Sequence, residues 1–283
     1  MRRPGRLATA VFGLALLTGC SVLRRPATDL VRIPDKDEYG GTFTLEARVC
    51  RPAAASPAPI LVLNHGAPAG GSTREDIRPP VCASPAVRWF TSRGYLVVLP
   101  MRRGYGLSGG DWAEDPGPCS SPDYGQAARA GAHDIALALA YAQAQPGVRA
   151  DAPVVLGWDT GGLAALAYAG GQPPSGTSVI AMAPAGGARG GAEAGHICRP
   201  DLLVEAVGQL GATARIPILW IAAGNDGVVP PELARAMSAS FGAAGTHVTL
   251  EQPNGPVAEG HDLFFANAGP VVWGPLVERF LAR

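Results

Sequence analysis

The sequence predicts an α/β fold, a mainly parallel sheet flanked by helices with no large cap domain. Three observations predict it. Short β-branched or leucine-rich runs end in turn signals, as strands buried on both faces do. Helical stretches alternate with them along the chain. Between the apolar run Val154-Val155-Leu156 and the small-residue helix Leu163–Tyr168 lies Gly157-Trp158-Asp159-Thr160-Gly161-Gly162. Its glycines permit a strained strand–turn–helix elbow that thrusts its middle residue into a site.

Taken in order, candidate strands fall at Leu30–Ile33 and Thr42–Arg51, the second alternating through Phe43, Leu45, Ala47 and Val49. A Pro/Ala-rich connection, Pro52–Pro59, leads to buried-type strands at Ile60–Leu63, Tyr95–Pro100 and Val154–Leu156. Later strands are Ser178–Ala183, Ile216–Ala223 and His247–Glu251. Helices are expected at Pro85–Arg93, Gln126–Gln145, Gly162–Ala169, Asp201–Leu210, Pro231–Phe241 and Pro270–Leu281. Pro184–Ala194 reads as a loop, and no repeat or long low-complexity tract interrupts the domain.

The N-terminus carries its own pattern. Met1-Arg2-Arg3-Pro4-Gly5-Arg6 precedes an apolar run from Leu7 to Leu17, too short to span a bilayer comfortably, and Leu17-Thr18-Gly19-Cys20 follows. This resembles the lipobox of bacterial lipoproteins. The resemblance implies a signal peptide over 1–19, lipidation of Cys20, a tether over 20–28 and a single domain over 29–283. With Ser21 after the cysteine, it implies an exported protein anchored to the outer membrane of a Gram-negative bacterium. A soluble secreted protein is the alternative.

Nearly half the residues, 47%, are apolar, enough for a sizeable core, and 23 basic residues balance 23 acidic ones. That balance gives no reason to expect a nucleic-acid partner. Past Cys20, the cysteines Cys50, Cys82, Cys119 and Cys198 form an even set, compatible with three full pairings in an exported protein. Cys119–Cys198 is the favoured pair, because both fall in loops expected on the active-site side; buried free thiols are the alternative. No Cys-x-x-Cys spacing suggests a metal, and the Gly-rich segments lack phosphate-loop and dinucleotide spacing, so neither metal nor cofactor is expected.

Four pieces carry chemistry. Asn64-His65-Gly66-Ala67-Pro68 ends the first central strand, and Asp159 sits in the elbow. Asn225-Asp226 follows a strand, and Gly260-His261-Asp262 precedes the last helix. Together with Arg102-Arg103-Gly104-Tyr105-Gly106-Leu107-Ser108-Gly109, this order resembles the α/β-hydrolase superfamily, in particular its dienelactone-hydrolase branch, over residues from about 40 to the C-terminus. The resemblance implies His261 as general base, Asp226 as the acid that orients it, and backbone N–H groups of Ala67 and Thr160 as the oxyanion hole. His65, Tyr105 and Trp158 are pocket candidates; His65 is also read as ordering its loop, and Tyr105 and Trp158 equally as packing.

The family's nucleophile at the elbow is a serine, whereas this chain has Asp159. Three readings stand. The first is a hydrolase of small esters or amides in which Asp159 attacks an acyl carbon or orients water. In the second, Asp159 attacks an sp³ carbon and forms an alkyl ester that His261 hydrolyses with water. This resembles haloalkane dehalogenases and epoxide hydrolases, whose strand-end motif is similar to His65-Gly66-Ala67-Pro68. Those families carry a helical cap for which Pro184–Ile216 is too short, and many place tryptophan where Thr160 stands. The third reading is a catalytically silent lipoprotein that binds a small ligand or a partner.

Overall fold

The computed structural model describes Met1 and residues 28–36, 40–53, 57–68, 72–171, 173–186 and 197–283. Cys20, its flanking segments, His196 and most of the Pro184–Ala194 loop lie outside the described residues. Eight strands form one sheet: β1 (Thr28–Lys36), β2 (Thr42–Cys50), β3 (Ala58–Asn64), β4 (Leu96–Pro100), β5 (Val148–Trp158), β6 (Ser178–Met182), β7 (Ile218–Ile221) and β8 (Val248–Glu251). Their spatial order is β1-β2-β4-β3-β5-β6-β7-β8. β1 and β2 join antiparallel, and every pairing from β4 to β8 is parallel.

Among the described residues six α-helices cover the sheet: α1 (Pro85–Thr91), α2 (Tyr124–Gln143), α3 (Thr160–Gly170), α4 (Pro200–Gly211), α5 (Pro231–Gly242) and α6 (Gly269–Leu281). The period of two sorts the strand side chains. Ile60, Val62, Val155, Val179, Ile218 and Trp220 pack under α2–α5. Leu61, Leu63, Leu156, Ile180, Leu219 and Ile221 pack under α1 and α6. With both faces covered, β4 is buried throughout. α3 is the central helix, buried from Gly161 to Ala169, and its small residues let it nest between α2, α4 and the sheet. This is the α/β-hydrolase fold, in which β6 ends at Met182 and α4 begins at Pro200, with no cap domain among the described residues.

Two strands are longer than the hydrophobic pattern predicts. β1 reaches from Thr28 to Lys36 because it pairs with β2 over that whole length, although its polar ends carry no apolar signal. β5 begins at Val148, where Ala58 and Pro59 pair with Val148 and Arg149 before an irregularity restores register at Leu61 and Val154. Its first half is exposed, so alternation could not reveal it.

Two disulfides join described residues, Cys50–Cys82 and Cys119–Cys198. The second ties the segment between β4 and α2 to the start of α4. Among the described residues no helix is long and apolar enough to cross a membrane, and no cluster of three metal-ligating side chains occurs.

Candidate active site

The elbow forms where β5 turns into α3. Asp159 has φ 56° and ψ −123°, a strained conformation held by its neighbours. Its N–H donates to Met182 O at 3.0 Å, and its carbonyl accepts from Leu163 N and Ala185 N, each at 3.1 Å. The turn also needs Gly157, because a Cβ there would sit 1.9 Å from Gly161 O. The elbow is therefore locked by backbone on three sides, and the Asp159 side chain has a fixed origin.

The loop after β3 meets that side chain. Ala67 N–H donates to Asp159 Oδ2 at 2.8 Å. The approach is close enough to require glycine before it: a Cβ on Gly66 would lie 2.7 Å from Asp159 Cβ and Oδ2. Asp159 Oδ1 makes no hydrogen bond and lies 3.5 Å from His261 Nε2, which also lacks a hydrogen-bond partner. One carboxylate oxygen is held by the backbone donor, and the other faces the imidazole.

On its far side His261 Nδ1 contacts Asp226 Oδ2 at 3.0 Å and Oδ1 at 3.2 Å. Asp226 Oδ1 is itself fixed by the N–H groups of Val228 and Val229 at 2.9 and 2.7 Å. Burial opposes charge on the imidazole, but the carboxylates of Asp159 and Asp226 outweigh it and hold His261 up at about 9. At neutral pH the resting site is an imidazolium between two carboxylates. All three side chains are essentially excluded from solvent.

Two supports for this arrangement have no role assigned to them by the sequence. Glu259 Oε1 accepts from Gly227 N and His261 N, both at 2.9 Å, and so clamps the acid loop to the histidine loop. Its position two residues before His261 is its only sequence cue. Arg102 is fully buried and touches both loops that flank the Asp159 carboxylate.

A cavity of about 570 Å³ opens beside Ala67 and Thr160, the two residues predicted as oxyanion donors. Tyr105, Trp112, Tyr124, Leu163 and Pro68 contribute apolar and aromatic walls. Tyr105 is therefore in the cavity wall, but His65 and Trp158 are not. His65 Nε2 accepts from Arg102 N–H at 3.1 Å, which leaves the proton on Nδ1 for Gly66 O at 2.8 Å. Burial and the Arg102 charge keep it well below the ordinary histidine value, so it is a neutral strut of its loop. Trp158 instead turns its Nε1 to His261 O at 2.8 Å and steadies the histidine loop.

The remaining hydroxyl and histidine candidates have structural partners or stand apart. Ser108 donates to Met101 O and accepts from Glu46 N, fixing its own loop. His133 pairs with Asp35 at 2.6 Å on the surface, and His247 is exposed. The Cys119–Cys198 disulfide borders the wall formed by Glu114–Gly117, and Tyr124 OH donates to Cys198 O.

No family profile matches the chain, and no curated protein is similar to it. Solved structures are similar in fold. The esterase Pf2001 of Pyrococcus furiosus superposes with a TM-score of 0.61 at 16% identity, covering 91% of this chain and 93% of that one. A putative dienelactone hydrolase of Klebsiella pneumoniae gives 0.56 at 15%, covering 92% and 99%. Est1E of Butyrivibrio proteoclasticus gives 0.56 at 14%, covering 89% and 97%.

Proposed function

We propose that this protein is a hydrolase that works through a covalent ester on Asp159, with His261 and Asp226 activating water. The carrying observation is the division of labour between the two carboxylate oxygens: Oδ2 accepts from Ala67 N–H while Oδ1 is unbonded and faces His261. A carboxylate nucleophile needs this geometry, because the oxygen that stays behind becomes the carbonyl of the ester and then the oxyanion.

The reaction has two stages. Asp159 Oδ1 forms a bond to an electrophilic carbon, whose leaving group departs with the bonding pair. Water then attacks Asp159 Cγ and gives a proton to His261 Nε2, while charge grows on Oδ2 beside Ala67 N–H. Collapse breaks the Cγ–Oδ1 bond, and His261 returns the proton to the departing alkoxide. The raised His261 value fits this order. Esterification consumes the Asp159 charge that helps keep the imidazole protonated, so His261 gives its Nε2 proton to the leaving group or to solvent and is a free base when water attacks.

The electrophile is an sp³ carbon carrying a leaving group, such as an alkyl halide or an epoxide. For an acyl substrate, the developing oxyanion of the first stage would need the Ala67 N–H that Asp159 Oδ2 already occupies. The cavity favours an aryl- or alkyl-bearing molecule, since Tyr105, Trp112, Tyr124 and Leu163 wall it. The second reading, hydrolysis of a small ester or amide, draws on the structural neighbours, which include an esterase and a putative dienelactone hydrolase.

The test is to present styrene oxide, 1-bromobutane and 4-nitrophenyl acetate to the protein and its His261→Gln variant. Turnover by the unmodified chain with a mass adduct trapped on Asp159 in the variant supports the covalent reading. Absence of turnover and adduct with all probes favours ligand binding without chemistry. The same proposal places the chain outside the cytoplasm, anchored through lipid on Cys20. The two disulfides support an oxidising compartment, and a Cys20→Ser protein that stays with the membrane after export would defeat the anchor.

A further inference from the structure

One buried guanidinium touches both loops that supply the oxyanion donors. Arg102 follows β4 and is fully buried. Its Nη1 donates to His65 O at 2.7 Å, the carbonyl just before Gly66-Ala67. Its Nη2 donates to Thr160 Oγ1 at 3.2 Å, on the residue just after Asp159. The Glu114 carboxylate receives Nη2 at 3.1 Å together with Nε, and Tyr105 OH donates to the same carboxylate at 3.3 Å.

We propose that Arg102 is a positioning residue that, braced between His65 O and Thr160 Oγ1, sets the Ala67 N–H against the Asp159 carboxylate, with Glu114 holding the guanidinium from the cavity side. Only the planar five-donor fork of arginine can reach a backbone carbonyl, a hydroxyl and a bidentate carboxylate at once; a lysine ammonium is a point charge on one stem. A buried ion pair is weak grounds for stability, because an apolar pair of equal volume often serves as well. Its contacts here go instead to His65 O, two residues before Ala67, and to Thr160 Oγ1, next to Asp159. Glu114 also lines the cavity, so a ligand that disturbs it reaches the oxyanion donors through this guanidinium.

The kinetic half of the test rests on the covalent reading, but the structural half does not. In the full chain, amide hydrogen exchange is followed by NMR in Arg102→Lys and Glu114→Gln. Exchange at Ala67 is expected to rise at least tenfold in Arg102→Lys and less in Glu114→Gln. Exchange at Leu163, whose N–H is held by Asp159 O, should stay unchanged. In a His261→Gln background, the rate of Asp159 alkylation by 1-bromobutane should fall at least tenfold at an unchanged half-saturating concentration. Unchanged Ala67 exchange in a folded Arg102→Lys protein overturns the proposal. If that variant does not fold, Glu114→Gln decides on the same criterion. Failure of alkylation in every protein defeats the covalent reading and leaves the exchange result standing for or against the brace.

Discussion

The amide of Ala67 donates to Asp159 Oδ2 at 2.8 Å, so the oxyanion site is already filled by the side chain that would act as nucleophile. A serine in the elbow would leave that donor to the substrate. The carboxylate takes it and thereby fixes which oxygen is free to react. Asp159→Ser should vacate the donor. If the scaffold otherwise suits acyl transfer, this variant gains hydrolysis of 4-nitrophenyl acetate relative to the unmodified chain, read as release of nitrophenolate.

The imidazole of His261 gives stability a pH dependence. Its folded value of about 9 lies above the ordinary 6.5, so its contribution is fully present below pH 6.5 and is lost as pH rises through 9. The shift corresponds to an effect on the order of 3 kcal/mol. Urea unfolding at pH 6.5 and 9.5 should show this loss, and Asp159→Asn should shrink it because one of the two opposing carboxylates is gone.

Glu259 joins two loops through one oxygen. Glu259→Ala leaves the amides of Gly227 and His261 without that acceptor, which should cost about 1–3 kcal/mol in chemical denaturation. Glu259→Gln retains a carbonyl oxygen in the same place and should restore most of the loss.

Gly66→Ala should destabilise by about 1–3 kcal/mol, because the new methyl meets Asp159 and Trp158 at 2.7–2.8 Å in a place with no flexible neighbour. Gly242→Ala is the control, since its Cβ meets only Val248 Cγ2 at 3.5 Å. Thermal unfolding of the two variants checks the contrast.

The double variant Cys119→Ser/Cys198→Ser opens a crosslink spanning 79 residues, for which chain entropy gives a loss of about 4.5 kcal/mol. Because the crosslink borders the cavity wall, aryl probes should also bind more weakly, as titration of tryptophan fluorescence would report.

Much of this fold could be read from short apolar runs, because strands buried on both faces, such as Leu96–Pro100, announce themselves without alternation. The exposed first half of β5 and the polar ends of β1 could not be read, since backbone pairing, not side-chain burial, makes them strands. Asp159, Asp226 and His261 stood out because each follows a strand in a familiar order, and the structure brings them together. Glu259 and Glu114 did not, and Arg102 entered only as part of a motif, because their work consists of contacts with groups brought together by folding. For His65 and Trp158 the sequence left pocket lining and a structural role both open, and their side chains make contacts that hold loops.

The most direct test of the central claim is a single turnover in H₂¹⁸O with enzyme in excess over an sp³-carbon substrate identified from the probe set. If Asp159 forms an ester that water cleaves at Cγ, the first product carries oxygen from Asp159, and the label appears on that residue in the digested protein. Label entering the product directly in the first turnover, with none on Asp159, would contradict the account.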